Sequence, residues 1–250
     1  MSLMRKHKQR VLAEKAALKA QEEGRNTTTP REPQNSPVHI LTTRLRALEV
    51  ELKGLQSTDR KIKHKLAALP EFDAYLDGIV AADTKAQDDI LVMLMIWHFD
   101  CVTLDPSLLQ RTLDLADYAL QSDMKMPDRF NRSLAGFVLA ELADIALATS
   151  KLDDLTVEDR DLMVEHLNDA LTWTKDHDMV DDIPARAYKA MGELIGESNI
   201  PDAISALEEA HRLDSKKAGV QTKLKQLKKL QEKQAENQDA NKQNTGTNPQ

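Results

Sequence analysis

From Leu41 to Leu69 apolar residues recur at alternating spacings of four and three: Leu41, Leu45, Leu48, Leu52, Leu55, Ile62, Leu66 and Leu69, with Asp59 in the polar position of the stripe. A seven-residue period sustained for about four heptads predicts a coiled-coil-like helix, and Pro70 ends it because proline cannot continue a helix interior. A polar residue at a core position lowers stability but sets register or oligomer state, and Asp59 is expected to act in that way. Two readings of the stripe stand. Either Leu41, Leu45, Leu48, Leu52, Leu55, Ile62 and Leu66 form a self-association seam, or they are the buried edge of a long helix lying on its own domain.

Beyond Pro70 the pattern changes to shorter amphipathic runs, predicting helices over roughly 71–82, 86–99, 106–121, 131–149, 157–176, 184–196, 201–213 and 216–235. Asp-Pro at 105–106, Met-Pro at 126–127, Ile-Pro at 183–184 and Ile-Pro at 200–201 mark their junctions, since proline suits a first helical turn. The run Ile90 to Trp97 is apolar on every side, which places that helix at the centre of the body. Residues 184–217 fit one tetratricopeptide-like repeat of about 34 residues. Ala187, Met191, Gly192 and Leu194 suit its first helix; Ala203, Leu207, Ala210, Leu213 and Asp214 suit its second. The expected fold is therefore all-α, with an N-terminal coiled-coil-like helix, a helical-hairpin body and a tetratricopeptide-like C-terminal repeat.

The flanks read differently. Met4, Val11 and Leu18 are spaced by sevens among Arg5, Lys6, Lys8, Arg10, Lys15 and Lys19, and the stretch GRNTTTPREPQNSP that follows is a flexible linker by composition. The expected organisation is a basic arm and linker over 1–37, the stripe helix over 38–69, an acidic body over 70–183, the repeat and a basic helix over 184–232, and an unstructured Gln/Asn-rich tail over 233–250.

Charge sharpens this division. Residues 1–66 carry 15 basic and 7 acidic groups, residues 67–215 carry 11 and 31, and residues 216–250 carry 8 and 3. Basic ends suit a polyanion, while an acidic middle either keeps the chain dissolved or docks a basic partner; tail-to-body attraction is the plainer alternative. The outer face of the stripe helix is expected to carry Arg44, Arg46, Lys53, Arg60, Lys61, Lys63 and Lys65. Arg5, Lys6, Lys8 and Arg10 on the arm and Arg44, Arg46, Lys61 and Lys63 on that face are the candidate DNA contacts, because each cation that neutralises a phosphate releases counterions whatever the base sequence.

Little in the chain suggests catalysis. A single cysteine, Cys101, excludes a disulfide framework and reads as a packed hydrophobe. No glycine-rich loop precedes a Lys-Ser or Lys-Thr pair, so ATP has no phosphate cradle, and no histidine or cysteine spacing suits zinc. Asp88-Asp89, Asp153-Asp154 and Asp181-Asp182 are adjacent pairs that diverge by about 100° on a helix, which suits capping better than clamping a metal. His98-Phe99-Asp100 reads as a helix end. No catalytic residue, metal site or cofactor is assigned. The N-terminus lacks an apolar leader-like run, and no apolar run is long enough to span a bilayer, so neither secretion nor membrane insertion is expected.

The order Ala86-Gln87-Asp88-Asp89-Ile90-Leu91, Trp97, Asp100, Ala116, Tyr118-Ala119-Leu120 and Met126-Pro127, then Asp202-Ala203 through Leu213-Asp214 and Ala218-Gly219-Val220, resembles the small terminase subunits of cohesive-end tailed phages, a group often labelled the terminase endonuclease subunit. The resemblance implies a viral packaging protein in the host cytoplasm that recognises double-stranded genome DNA and presents it to a large subunit with ATPase and nuclease activities. It also implies a ring-like homo-oligomer. Two rival functions remain: a DNA endonuclease in its own right, and a tetratricopeptide-like adaptor that binds only protein.

Overall fold

A computed structural model of the chain describes residues 37–245, with side chains as far as Glu236. Among these residues every regular element is helical. The chain divides into two compact units at Ala47 and Leu48. The described part of the first is the opening of α1 (Pro37–Gly54), where the Thr42 and Thr43 hydroxyls each donate to a carbonyl one turn back, at 2.8 Å.

The expected continuous stripe helix is interrupted. α1 stops at Gly54 and α2 (Thr58–Ala68) begins after Ser57, whose hydroxyl accepts from Arg60 N. Glycine followed by a Ser-Thr-Asp run is a stop signal succeeded by a start signal, and these local preferences outweigh the heptad spacing. Asp59 is exposed and paired with Lys63 at 2.9 Å, so it occupies no core position. Leu45, Leu48 and Leu52 are buried within a single copy, whereas Leu41, Leu55, Ile62 and Leu66 are half-buried.

A 3-10 turn over Leu69–Phe72 leads into α3 (Asp73–Ala82). Next come α4 (Asp89–Val102), α5 (Leu109–Gln121), α6 (Leu134–Thr149) and α7 (Val157–Thr174). The last three are α8 (Asp182–Ile195), α9 (Ile200–Leu213) and α10 (Gln221–Thr245). α10 continues through residues 233–245, which were expected to lie in an unstructured tail. Pro127 falls in the connection before α6, whose cap is Ser133; Pro201 sits in the first turn of α9 as expected.

α4 packs on α2 and α5; α6 packs on α7 and α8 and bridges to the α8–α9–α10 series. Both α4 and α6 are buried almost all round, which is why their sequences lack a polar face. α4 is held in place at its start: the Asp88 carboxylate accepts from Leu91 N at 2.8 Å and from the Tyr75 hydroxyl at 2.5 Å. α8 and α9 approach closely at Gly192, where a Cβ would overlap the Leu207 side chain. Gly196 then ends α8 at φ +49°, a conformation that favours glycine. Ala203, Leu207, Val220 and Leu227 join α9 to α10 in one apolar cluster.

Candidate nucleic-acid interface

Five cations converge on one cleft of the second unit, about 500 Å³ in volume. Lys53 comes from the end of α1, Lys61 and Lys65 from α2, and Arg129 and Arg132 from the connection between α5 and α6. Three carboxylates share the lining: Glu49, Asp100 and Glu141. Five cations against three carboxylates leave an excess of positive charge; Lys53, Lys61 and Lys65 come from the basic first 66 residues, and Arg129 and Arg132 from the acidic stretch that follows.

Three of the cations are held in a repeated arrangement, each beside a carboxylate and over an aromatic ring. Lys65 Nζ lies 2.5 Å from Asp100 Oδ2 and 5.8 Å from the Trp97 ring centre. The Arg129 guanidinium lies 2.5 Å from Glu49 Oε1 and 5.4 Å from the Phe130 ring. Arg132 stands 3.6 Å from Glu141 Oε1 and 5.9 Å from the Phe137 ring. Phe137 in turn meets Phe99 edge-on at 5.6 Å and Phe130 at 6.4 Å. A cation over a ring face gains roughly 0.5–1 kcal/mol where exposed, so the rings serve to orient these groups at the cleft wall. Burial holds the Glu141 carboxyl above its usual range, Asp100 adds to that, and Arg132 opposes it. Lys53 and Lys61 line the same cleft with no carboxylate partner among the described residues.

Of the candidate DNA contacts chosen from sequence, Lys61 is at the cleft, Lys63 is exposed and tied to Asp59, Arg46 is exposed, and Arg44 is half-buried. Arg5, Lys6, Lys8 and Arg10 lie outside the described residues. Lys65, counted on the outer face by the heptad reading, is instead mostly covered and turned to Asp100. Arg129 and Arg132 were missed, although Arg129-Phe130-Asn131-Arg132 interleaves cations with a ring in a way that could have flagged them.

The chemistry weighed from sequence resolves locally. His98 directs Nδ1 to the Leu94 carbonyl oxygen at 2.8 Å while Asp100 faces Lys65, so the two are not a dyad. Asp88 is a helix cap; Asp153 and Asp154 are exposed in the α6–α7 connection. Among the described residues no group of three or more His, Cys, Asp or Glu is placed to hold a metal ion, and no helix is long and apolar enough to cross a membrane.

Among the described residues the arrangement is wholly helical, with a cleft lined by cations and aromatic rings. The profile of the phage small terminase subunit family matches residues 42–182, more than half of the chain, and the chain belongs to that family. The match covers every residue that lines the cleft and ends as α8 begins. The chain is similar to the terminase, endonuclease subunit of Escherichia phage P2, with 27% identity over 190 residues, covering 76% of this chain and 72% of that protein. No solved structure matches it.

Proposed function

We propose that the chain is the DNA-recognition and regulatory small subunit of a phage packaging terminase. In this reading it binds the cohesive-end region of double-stranded viral DNA and presents it to the large subunit, in the host cytoplasm during virus assembly. Membership of the family supports the packaging role. The observation that carries DNA contact is the convergence of Lys53, Lys61, Lys65, Arg129 and Arg132 on one cleft. Arg44, Arg46 and Lys63, and the arm residues Arg5, Lys6, Lys8 and Arg10, are further candidate phosphate contacts, which need no base-specific geometry.

The test is a fluorescence-anisotropy titration of duplex DNA against the full chain over a series of salt concentrations. Replacing Lys53 and Lys61 together by Gln weakens binding and flattens the dependence of log affinity on log salt by about 0.9 for each phosphate that is no longer neutralised. Deleting residues 1–37 weakens it further. Absence of binding at low salt sinks the proposal.

Self-association is part of the same reading. The half-buried Leu41, Leu55, Ile62 and Leu66 and the exposed Ile40 and Val50 are apolar positions of α1 and α2 left for a coiled-coil-like or ring contact, whereas Leu45, Leu48 and Leu52 are already used within one copy. The α8–α9 hairpin is read as tetratricopeptide-like on the strength of the Gly192–Leu207 approach and the Asp214 carboxylate, which accepts from Lys216 N and Lys217 N. A second reading, an endonuclease, draws on the name of the phage P2 relative. Incubating the purified chain with cohesive-end DNA and magnesium separates the two: nicking without a large subunit favours the enzyme.

A further inference from the structure

The acidic body has a feature that DNA binding leaves unused. Between the C-terminal ends of α4 and α6 and the N-terminal ends of α5 and α7 runs a groove of about 530 Å³, walled by Val102, Leu109, Ile145, Leu152, Leu162 and Met163 among others. Two large hydrophobic side chains of its lining, Leu152 and Leu162, stand about half exposed, at 53% and 49%, and Leu104 and Val157 stand within two residues of its lining at 42% and 61%. Leaving such side chains in water forfeits the free energy that burial would supply, about 25 cal/mol per Å², so exposed leucines gathered in one apolar groove mark a contact surface.

The rim says what kind of partner fits. Of residues 152–163, Leu152, Leu155, Asp159, Leu162 and Met163 line the groove, and the exposed residues that flank them in sequence include Asp153, Asp154, Glu158 and Asp161, with Arg160 the stretch's single cation. Asp159 is engaged in capping α7 through Thr156; Asp153, Asp154, Glu158 and Asp161 have no cationic partner among the described residues. An apolar floor beside a run of unpaired carboxylates is complementary to an amphipathic helix that carries leucine-like residues on one face and lysine or arginine beside them.

We propose that this groove is a docking site for a basic amphipathic helix of a partner protein, with apolar side chains at i, i+3 or i+4, and i+7 entering between α4, α5, α6 and α7. The flanking cations of that helix are met by Asp153 and Asp154, which lie between Leu152 and Leu155 of the lining. The proposal is independent of DNA binding, which is assigned to the cleft formed by α1, α2, α4 and α6 and by the α5–α6 connection.

The experiment uses the full chain and two dye-labelled synthetic helices with the same leucine spacing, one with lysines on the polar face and one with glutamates. The lysine peptide binds the wild type about tenfold or more tightly than the glutamate peptide, as charge complementarity requires. Leu152→Ser with Leu162→Ser weakens the lysine peptide by about tenfold or more, since two apolar anchors are removed. Both leucines are half exposed, so circular dichroism and the denaturation midpoint stay close to wild type. Asp153→Lys with Asp154→Lys, which touches no core residue, weakens the lysine peptide and strengthens the glutamate peptide. Equal affinity for both peptides, or binding undiminished by the leucine pair, overturns the proposal. So does a fall in oligomer mass on Leu162→Ser without any peptide binding, because the occupant is then a second copy of this chain.

Discussion

Cys101 is fully buried in α4, its Sγ 3.7 Å from the Ile62 carbonyl oxygen, and burial pushes the thiol up to about 11. A covered, protonated thiol reacts slowly, because the thiolate is the nucleophile. A thiol-reactive disulfide reagent at about pH 8 is therefore expected to label the native chain far more slowly than the unfolded one; equal rates would refute this packing. His98 and His166 are also buried, and desolvation lowers both from 6.5. The sign follows from proton linkage. Unfolded imidazoles take up protons near pH 6.5 while the folded ones resist, so the folded state holds its full advantage above that pH and loses it as pH falls through the lowered native values. Denaturation midpoints should decline on acidification below about 6.5, and His98→Gln should flatten the decline.

At the scale of elements, the helices are set by their ends and by their closest approaches. Asp88→Ala removes the cap of α4 and the partner of the Tyr75 hydroxyl, and is expected to lower stability by about 1–2 kcal/mol in urea titrations. A midpoint unchanged from wild type would mean that α4 needs no cap. Gly192→Ala tests the α8–α9 packing. Helix propensity alone favours alanine by about 1 kcal/mol, but the new methyl meets the Leu207 side chain, and overpacking of that kind costs about 1–3 kcal/mol. Net destabilisation is expected; net stabilisation would show that α9 can shift away.

At the scale of the molecule, the basic cleft and the apolar groove are separate surfaces, lined by different residues of an acidic body. Assembly through the stripe is testable without harming the core. Leu48 is 1% exposed, so a charge there would unfold the chain rather than interrogate an interface. Val50→Asp with Leu55→Asp alters an exposed and a half-buried position instead, and should reduce the oligomer's mass by light scattering while circular dichroism stays helical. An unchanged mass would assign assembly to another surface.

The helical class, the approximate span of each body helix, the central place of α4 and the fate of Cys101 were all legible in the chain. Each depends on nearest-neighbour chemistry: apolar period, caps, prolines and the helix dipole act within a few residues. The heptad stripe shows where that reading fails. Spacing counts residues and does not register the Gly54-to-Ser57 stop and start, so it carried Asp59 into a core position and Lys65 onto the outside. Tertiary structure alone brought Lys53, Lys61 and Lys65 to Arg129 and Arg132, because their meeting depends on how α2, α4 and α6 pack rather than on any local pattern. It also left Leu152 and Leu162 about half exposed in a groove flanked in sequence by Asp153 and Asp154. A sequence specifies which residues are apolar, but only packing decides which of them find a partner within the same chain.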